Sequence, residues 1–119
     1  MRRFPARDSR WRAWLPEEAF AHAFAPNASV EEQAVLAAVQ RPISPACITQ
    51  KVGRPLWRDR PSWFLLAEED RMILAQTQRF MAERMNARIS AHAVDHTPIV
   101  TAPGACIDII LEAVKAAAV

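Results

Sequence analysis

Apolar positions along the chain follow two rhythms that meet near Lys51–Pro61. Before that junction the spacing is helical. Ala19, Phe20, Ala23 and Phe24 form an apolar stripe behind Pro16-Glu17-Glu18, where a proline and two acids suit a first helical turn. Pro26 closes that segment. Ser29 with Glu32 three residues later makes a capping box. The helix it opens runs through Val35, Leu36 and Val39 toward Gln40, where Arg41-Pro42 stops it. Pro42 and Pro45 bracket a loop, and a short helix or turn is expected over Ala46–Thr49.

Past the junction, Ser62-Trp63-Phe64-Leu65-Leu66-Ala67 is a short apolar run after a proline, the pattern of a strand buried on both faces. Phe80, Met81 and Met85 then recur at helical spacing, with Gln76, Gln78, Arg79, Glu83 and Arg84 polar between them. Arg88–Val94 reads as a second, less hydrophobic strand. Pro103 in a first turn, followed by Ile107, Ile110, Leu111 and Val114, predicts a C-terminal helix with a strong apolar face. The order strand, helix, strand, helix predicts an α/β fold, with a right-handed crossover joining two parallel strands. Three regions follow: a basic N-terminal tail over 1–13, a helical segment over 14–55, and a strand-helix-strand-helix unit over 56–119. Two strands alone make a very small sheet, so the pattern reads as the end of a larger one.

Composition narrows the chemistry. The 119 residues are 51% hydrophobic and 24% charged, ordinary for one globular domain. Only two glycines occur, Gly53 and Gly104. A nucleophile elbow, a dinucleotide loop or a P-loop needs two close together, so none lies within this sequence. The net charge of +2 does not suggest nucleic acid, although Arg2, Arg3, Arg7, Arg10 and Arg12 crowd the start against Asp8 alone. That cluster reads best as a solvated terminus. No segment reaches the roughly 18 apolar residues of a membrane span. Cys47 and Cys106 lack metal or redox spacing and read as buried or incidental thiols of a reducing cytoplasm.

Functional groups of open α/β sheets gather past the carboxyl ends of strands. Glu68-Glu69-Asp70-Arg71 and Asp95-His96-Thr97 fall there. Neighbouring parallel strands lie about 4.8 Å apart, so an acid and a histidine leaving adjacent strand ends can meet. An acid oriented on a histidine is two-thirds of a nucleophilic triad. Local readings compete: a turn histidine at His96, and at Asp70 a turn acid capping the next helix, a role that is compatible with pairing. His92 and His96 would sit about 13 Å apart along a strand, and no third ligand is evident, so no metal is expected. His22 reads as a helix-surface residue. Trp63, inside the apolar run Ser62–Ala67, is expected in the core.

Pro61-Ser62-Trp63-Phe64-Leu65-Leu66-Ala67-Glu68-Glu69-Asp70-Arg71-Met72-Ile73, then Gln78-Arg79-Phe80-Met81-Ala82-Glu83-Arg84, then Asp95-His96-Thr97-Pro98, resemble the C-terminal part of small α/β-hydrolase fold proteins. The helical stretch from Trp14 to Ile43 is similar to the cap those proteins insert before this strand. The resemblance covers most of the chain from Trp14 onward and is most specific between Pro61 and Pro103. It implies a C-terminal fragment of an α/β-hydrolase fold: two parallel strands with helices plus a helical cap segment. It assigns the catalytic base to His96 and the acid to Asp70, with Glu68 and Glu69 beside it as other carboxylates. It also implies no cofactor and a small ester-like substrate in the parent family; Phe20 and Phe24 would line an acyl pocket beneath the cap, while each by itself reads as core packing. The family's serine nucleophile and oxyanion loop belong to an N-terminal half not matched here. The chain alone is therefore expected to be inactive, either a truncated esterase-like hydrolase or a non-catalytic interaction module of that ancestry. The unprotected apolar edge of Ser62–Ala67 predicts self-association or a complementary N-terminal half as partner.

Overall fold

The two apolar segments of the second half pair in parallel in the computed structural model, which describes residues 2–4 and 12–118, with side chains from residue 12 onward. Strand β3 (Trp63–Ala67) lies beside β4 (Arg88–His92), in register from Trp63 opposite Arg88 to Ala67 opposite His92. The ladder runs past both strands, because Glu68 N donates to His92 O at 2.9 Å and Glu69 N to Val94 O at 3.1 Å. Both loops at the carboxyl ends thus start from one hydrogen-bonded frame. Helix α3 (Ala75–Arg84) crosses between the strands and packs on β3. It closes on Asn86, whose φ of 51° is a left-handed cap. Asn86 N then reaches Glu83 O and Ala87 N reaches Ala82 O, so these two carbonyls are satisfied as the chain reverses into β4.

Beyond β4 the chain forms α4 (Pro98–Thr101), an element not anticipated, and then α5 (Pro103–Ala117). Each opens with a proline in its first turn, where a missing N–H costs nothing.

In the first half the capping box forms as expected. Glu32 N donates to Ser29 Oγ at 3.2 Å and Ser29 N to Glu32 Oε2 at 2.8 Å, opening α1 (Val30–Val39). The Phe20–Phe24 stripe adopts a π-helical turn rather than an α-helix, sealed by Ala25 N to Phe20 O at 2.8 Å. The short helix α2 occupies Ala46–Thr49 as expected, and Leu56–Arg58 makes a 3-10 turn. Where only a basic tail was expected, strands β1 (Arg2–Phe4) and β2 (Arg12–Trp14) pair antiparallel. The arginine side chains of the first eleven residues, and Trp11, lie outside the described residues. A bridge between Ala13 and Ile43 fastens β2 to the loop after α1. The Gln40 side chain clamps the Leu15 backbone with two bonds of 3.0 Å.

The core is narrower than the sequence pattern suggested. β3 is buried only at its carboxyl end, at Leu66 and Ala67; Trp63, Phe64 and Leu65 remain half-exposed. Trp63 is not a core residue: its indole N–H donates to Glu112 and the Arg88 guanidinium covers its ring. Among the described residues the sheet of this strand holds only β4 besides. On α5 the apolar row Ile107, Ile110, Leu111 and Val114 is exposed rather than packed. The radius of gyration is 16.5 Å, against about 13.5 Å for a compact chain of this length. Accessible surface is 9075 Å², against about 6,500 Å² for a monomer of this mass. The excess of roughly 2,600 Å² matches a large protein interface in size. Of the cysteines, Cys47 is exposed rather than buried and Cys106 half-buried, neither in a disulfide. No helix of the described residues is long and apolar enough to cross a membrane.

Candidate active site

The loop leaving β3 turns back on itself around Asp70. Its Oδ1 accepts from Met72 N at 2.7 Å and Ile73 N at 2.9 Å, an Asx turn that redirects the chain toward α3. Its Oδ2 is left facing inward, where the buried Gln78 amide on α3 donates to it at 3.1 Å. Gln78 does more than hold the acid. Its carbonyl accepts from Ala67 N at 2.9 Å, and its amide nitrogen also lies 3.1 Å from Ala67 O and 2.8 Å from Ile73 O. One side chain from the crossover helix thus satisfies the last residue of β3 and orients the carboxylate beyond it. Asp70 is 8% exposed, while Glu68 and Glu69 are exposed.

The loop leaving β4 is organised by the adjacent acid, Asp95, which is 0% exposed. Its Oδ1 accepts from Thr97 N at 3.0 Å, the Thr97 hydroxyl at 3.3 Å and the Thr101 hydroxyl at 2.7 Å. Its Oδ2 accepts from Asn27 N at 3.0 Å. Burial pushes this carboxyl up, but the donors from Thr101, Asn27 and Thr97 outweigh burial and hold it below the ordinary aspartate value. Asp95 therefore stays ionised and ties together the β4 loop, α4 and the helical segment of the first half.

Between these two anchors, His96 Nδ1 donates to Asp70 Oδ2 at 2.9 Å across 26 residues of sequence. That bond leaves Nε2 as the proton-accepting nitrogen, the tautomer a general base requires. The imidazole is 27% exposed. It lies 5.2 Å from the Phe24 ring, which turns edge-on to Phe20, also at 5.2 Å. Both phenyl groups, with Leu36, Val39, Ile43 and Met72, line a cavity of about 450 Å³ that His96 also borders. The first half grips the strand-end loops at further points: Arg71 donates to His22 O at 3.2 Å, and Asn27 Nδ2 to Glu69 Oε2 at 3.4 Å.

The structure thus brings Asp70 and His96 together at one end of the sheet and leaves His92 apart, its Nε2 2.7 Å from Ser90 Oγ. His22 is exposed. No group of three His, Cys, Asp or Glu among the described residues is placed to hold a metal. Sequence reasoning passed over Gln78 as one polar residue of an amphipathic helix. The available signal was a glutamine four residues from Leu74 on the face that carries Ala82, hence directed at β3.

Among solved structures, the fold is similar to the crystal structure of polyneuridine aldehyde esterase, with a TM-score of 0.78 and 15% identity. The match covers 93% of this chain and 46% of the esterase chain. A point mutant of the same esterase matches over the same shares, with a TM-score of 0.77 and 14% identity. The chain therefore spans about half the length of the enzyme it resembles. No curated protein sequence matches it. The sequence matches the family described as alpha/beta hydrolase over residues 1–109, the basic first segment included. With so much of its length matched, and with parallel strands ending in loops that carry an acid and a histidine, the chain belongs to the alpha/beta hydrolase family.

Proposed function

We propose that these residues supply the acid and base of an esterase-like acyl hydrolase, with a nucleophile and oxyanion donors contributed by polypeptide outside the 119 residues. The observation that carries this reading is the His96 Nδ1 to Asp70 Oδ2 hydrogen bond beside an apolar cavity. A serine oxygen attacks the ester carbonyl as His96 Nε2 takes its proton, and Asp70 stabilises the imidazolium. The tetrahedral intermediate expels the alcohol, which receives that proton from His96. Water, deprotonated by His96 in turn, releases the acid and frees the serine. The apolar lining of Phe20, Phe24 and Met72 suits an uncharged ester of modest size. No metal or cofactor enters this scheme.

The chain alone should hydrolyse p-nitrophenyl esters no faster than free imidazole, because an acid–base pair without oxyanion donors has little to act on. Mixed with the N-terminal half of a similar hydrolase, it should gain activity that His96→Ala abolishes and Asp70→Asn lowers by about 10³–10⁴-fold. Activity surviving His96→Ala would overturn the assignment. So would a complex that forms but stays inactive, which would favour the second reading. That reading, a non-catalytic interaction module of hydrolase ancestry, is favoured by the lack of a glycine-flanked serine in these 119 residues.

A further inference from the structure

The amino ends of the parallel strands carry a second constellation, at the end of the sheet away from Asp70 and His96. The 3-10 turn before β3 presents Trp57 and Arg58, and the end of α3 before β4 presents Arg84, Met85 and Asn86. With Arg54 they line an open cavity of about 500 Å³. The Arg58 and Arg84 guanidinium carbons lie 5.2 Å and 5.6 Å from the Trp57 ring centroid, so both cations rest on one indole and border the same cavity. Arg54 is neutralised in place by Asp59, which takes its Nε at 2.9 Å and its Nη2 as a second bond. Arg58 and Arg84 have no carboxylate partner among the described residues.

We propose that this cavity is a binding site for a small phosphomonoester, its phosphate held by Arg58 and Arg84 and its organic group resting on Trp57 and Met85. Two uncompensated positive charges match a phosphomonoester, which carries about −1.5 to −2 at neutral pH. Guanidinium forks pair with phosphate oxygens two at a time, whereas one carboxylate satisfies only one fork. A cavity of about 500 Å³ far exceeds a bare phosphate and leaves room for an organic group near nucleoside size. The site is independent of the hydrolase reading, since it shares no residue with the Asp70–His96 loops.

The test is calorimetric titration of the 119-residue chain with AMP, adenosine and inorganic phosphate, at low salt and again at high salt. AMP should bind, weaken as salt rises, and exceed both adenosine and inorganic phosphate by at least about tenfold. The Arg58→Gln/Arg84→Gln variant should lose at least about tenfold in AMP affinity while melting like the wild type, because both side chains are exposed. A Lys/Lys variant should fall between the two, keeping the charge without the fork. Adenosine binding as tightly as AMP, inorganic phosphate doing so, or a Gln/Gln variant with unchanged affinity would each overturn the assignment.

Discussion

Replacing Asp95 tests whether the His96 loop is held by a single buried carboxylate. In Asp95→Ala, the Thr101 hydroxyl can turn wholly to Thr97 O, already 3.1 Å away. The amide of Thr97, a buried residue, has no such substitute and costs about 1–3 kcal/mol when left unpaired, whereas exposed Asn27 can turn its amide to water. Adding part of the charge-assisted bonds lost, the variant should be destabilised by about 2–4 kcal/mol. That is a large share of the roughly 5–15 kcal/mol that stabilises an ordinary domain. Asp95→Asn keeps an oxygen for Thr97 and Thr101 but turns an amide donor toward Asn27 N, and should cost about 1–3 kcal/mol.

The pH dependence has a definite sign. Because folding lowers the Asp95 pKa from its ordinary 3.8, the ionised group's stabilisation is fully present above that value. It is lost as pH falls through the lower folded value. The wild type should therefore exceed Asp95→Asn in stability at neutral pH, and the gap should close on acidification below about pH 4. Urea unfolding followed by circular dichroism, at low protein concentration and several pH values, reads both effects. An alanine variant within about 1 kcal/mol of wild type, or a gap that stays constant into acid, would refute the reasoning.

Gln78→Leu should destabilise by about 2–4 kcal/mol, because the Ala67 N–H and C=O lose their side-chain partner while Asp70 loses a donor; chemical denaturation measures it. Loss of under about 0.5 kcal/mol would mean that Gln78 is replaceable there by water. Ser29→Ala should cost about 0.5–2 kcal/mol by removing the cap of α1, read by thermal melts. The roughly 2,600 Å² of surplus surface, with Ile110, Leu111 and Val114 exposed on α5, should drive concentration-dependent association, which Ile110→Lys/Val114→Lys should weaken. Sedimentation across a concentration series decides it, and a concentration-independent monomer would count against an unpartnered face.

What the sequence determined by itself was local. The Ser29–Glu32 box, the prolines opening α4 and α5, the apolar run of β3 and the periodicity of α3 act over a few residues, where capping geometry and side-chain spacing suffice. Of these, α4 went unread although Pro98 marks its start, since a four-residue helix leaves no periodicity to detect. The positions of the candidate acid and base at the ends of two strands were also legible, because a parallel pair aligns its carboxyl ends. The family resemblance named Asp70 as the acid, but only tertiary structure supplies the reason that this carboxylate meets the histidine. Glu68, Glu69 and Asp70 are adjacent in sequence, and only the Asx turn, with Gln78 behind it, turns Asp70 inward. Asp95 depends on a donor 68 residues away, at Asn27, and no local pattern encodes that approach. The exposure of Trp63 and α5 likewise followed from what packs against them rather than from their own apolar character. Periodicity states which face seeks burial; only the assembled chain supplies a surface to bury it against.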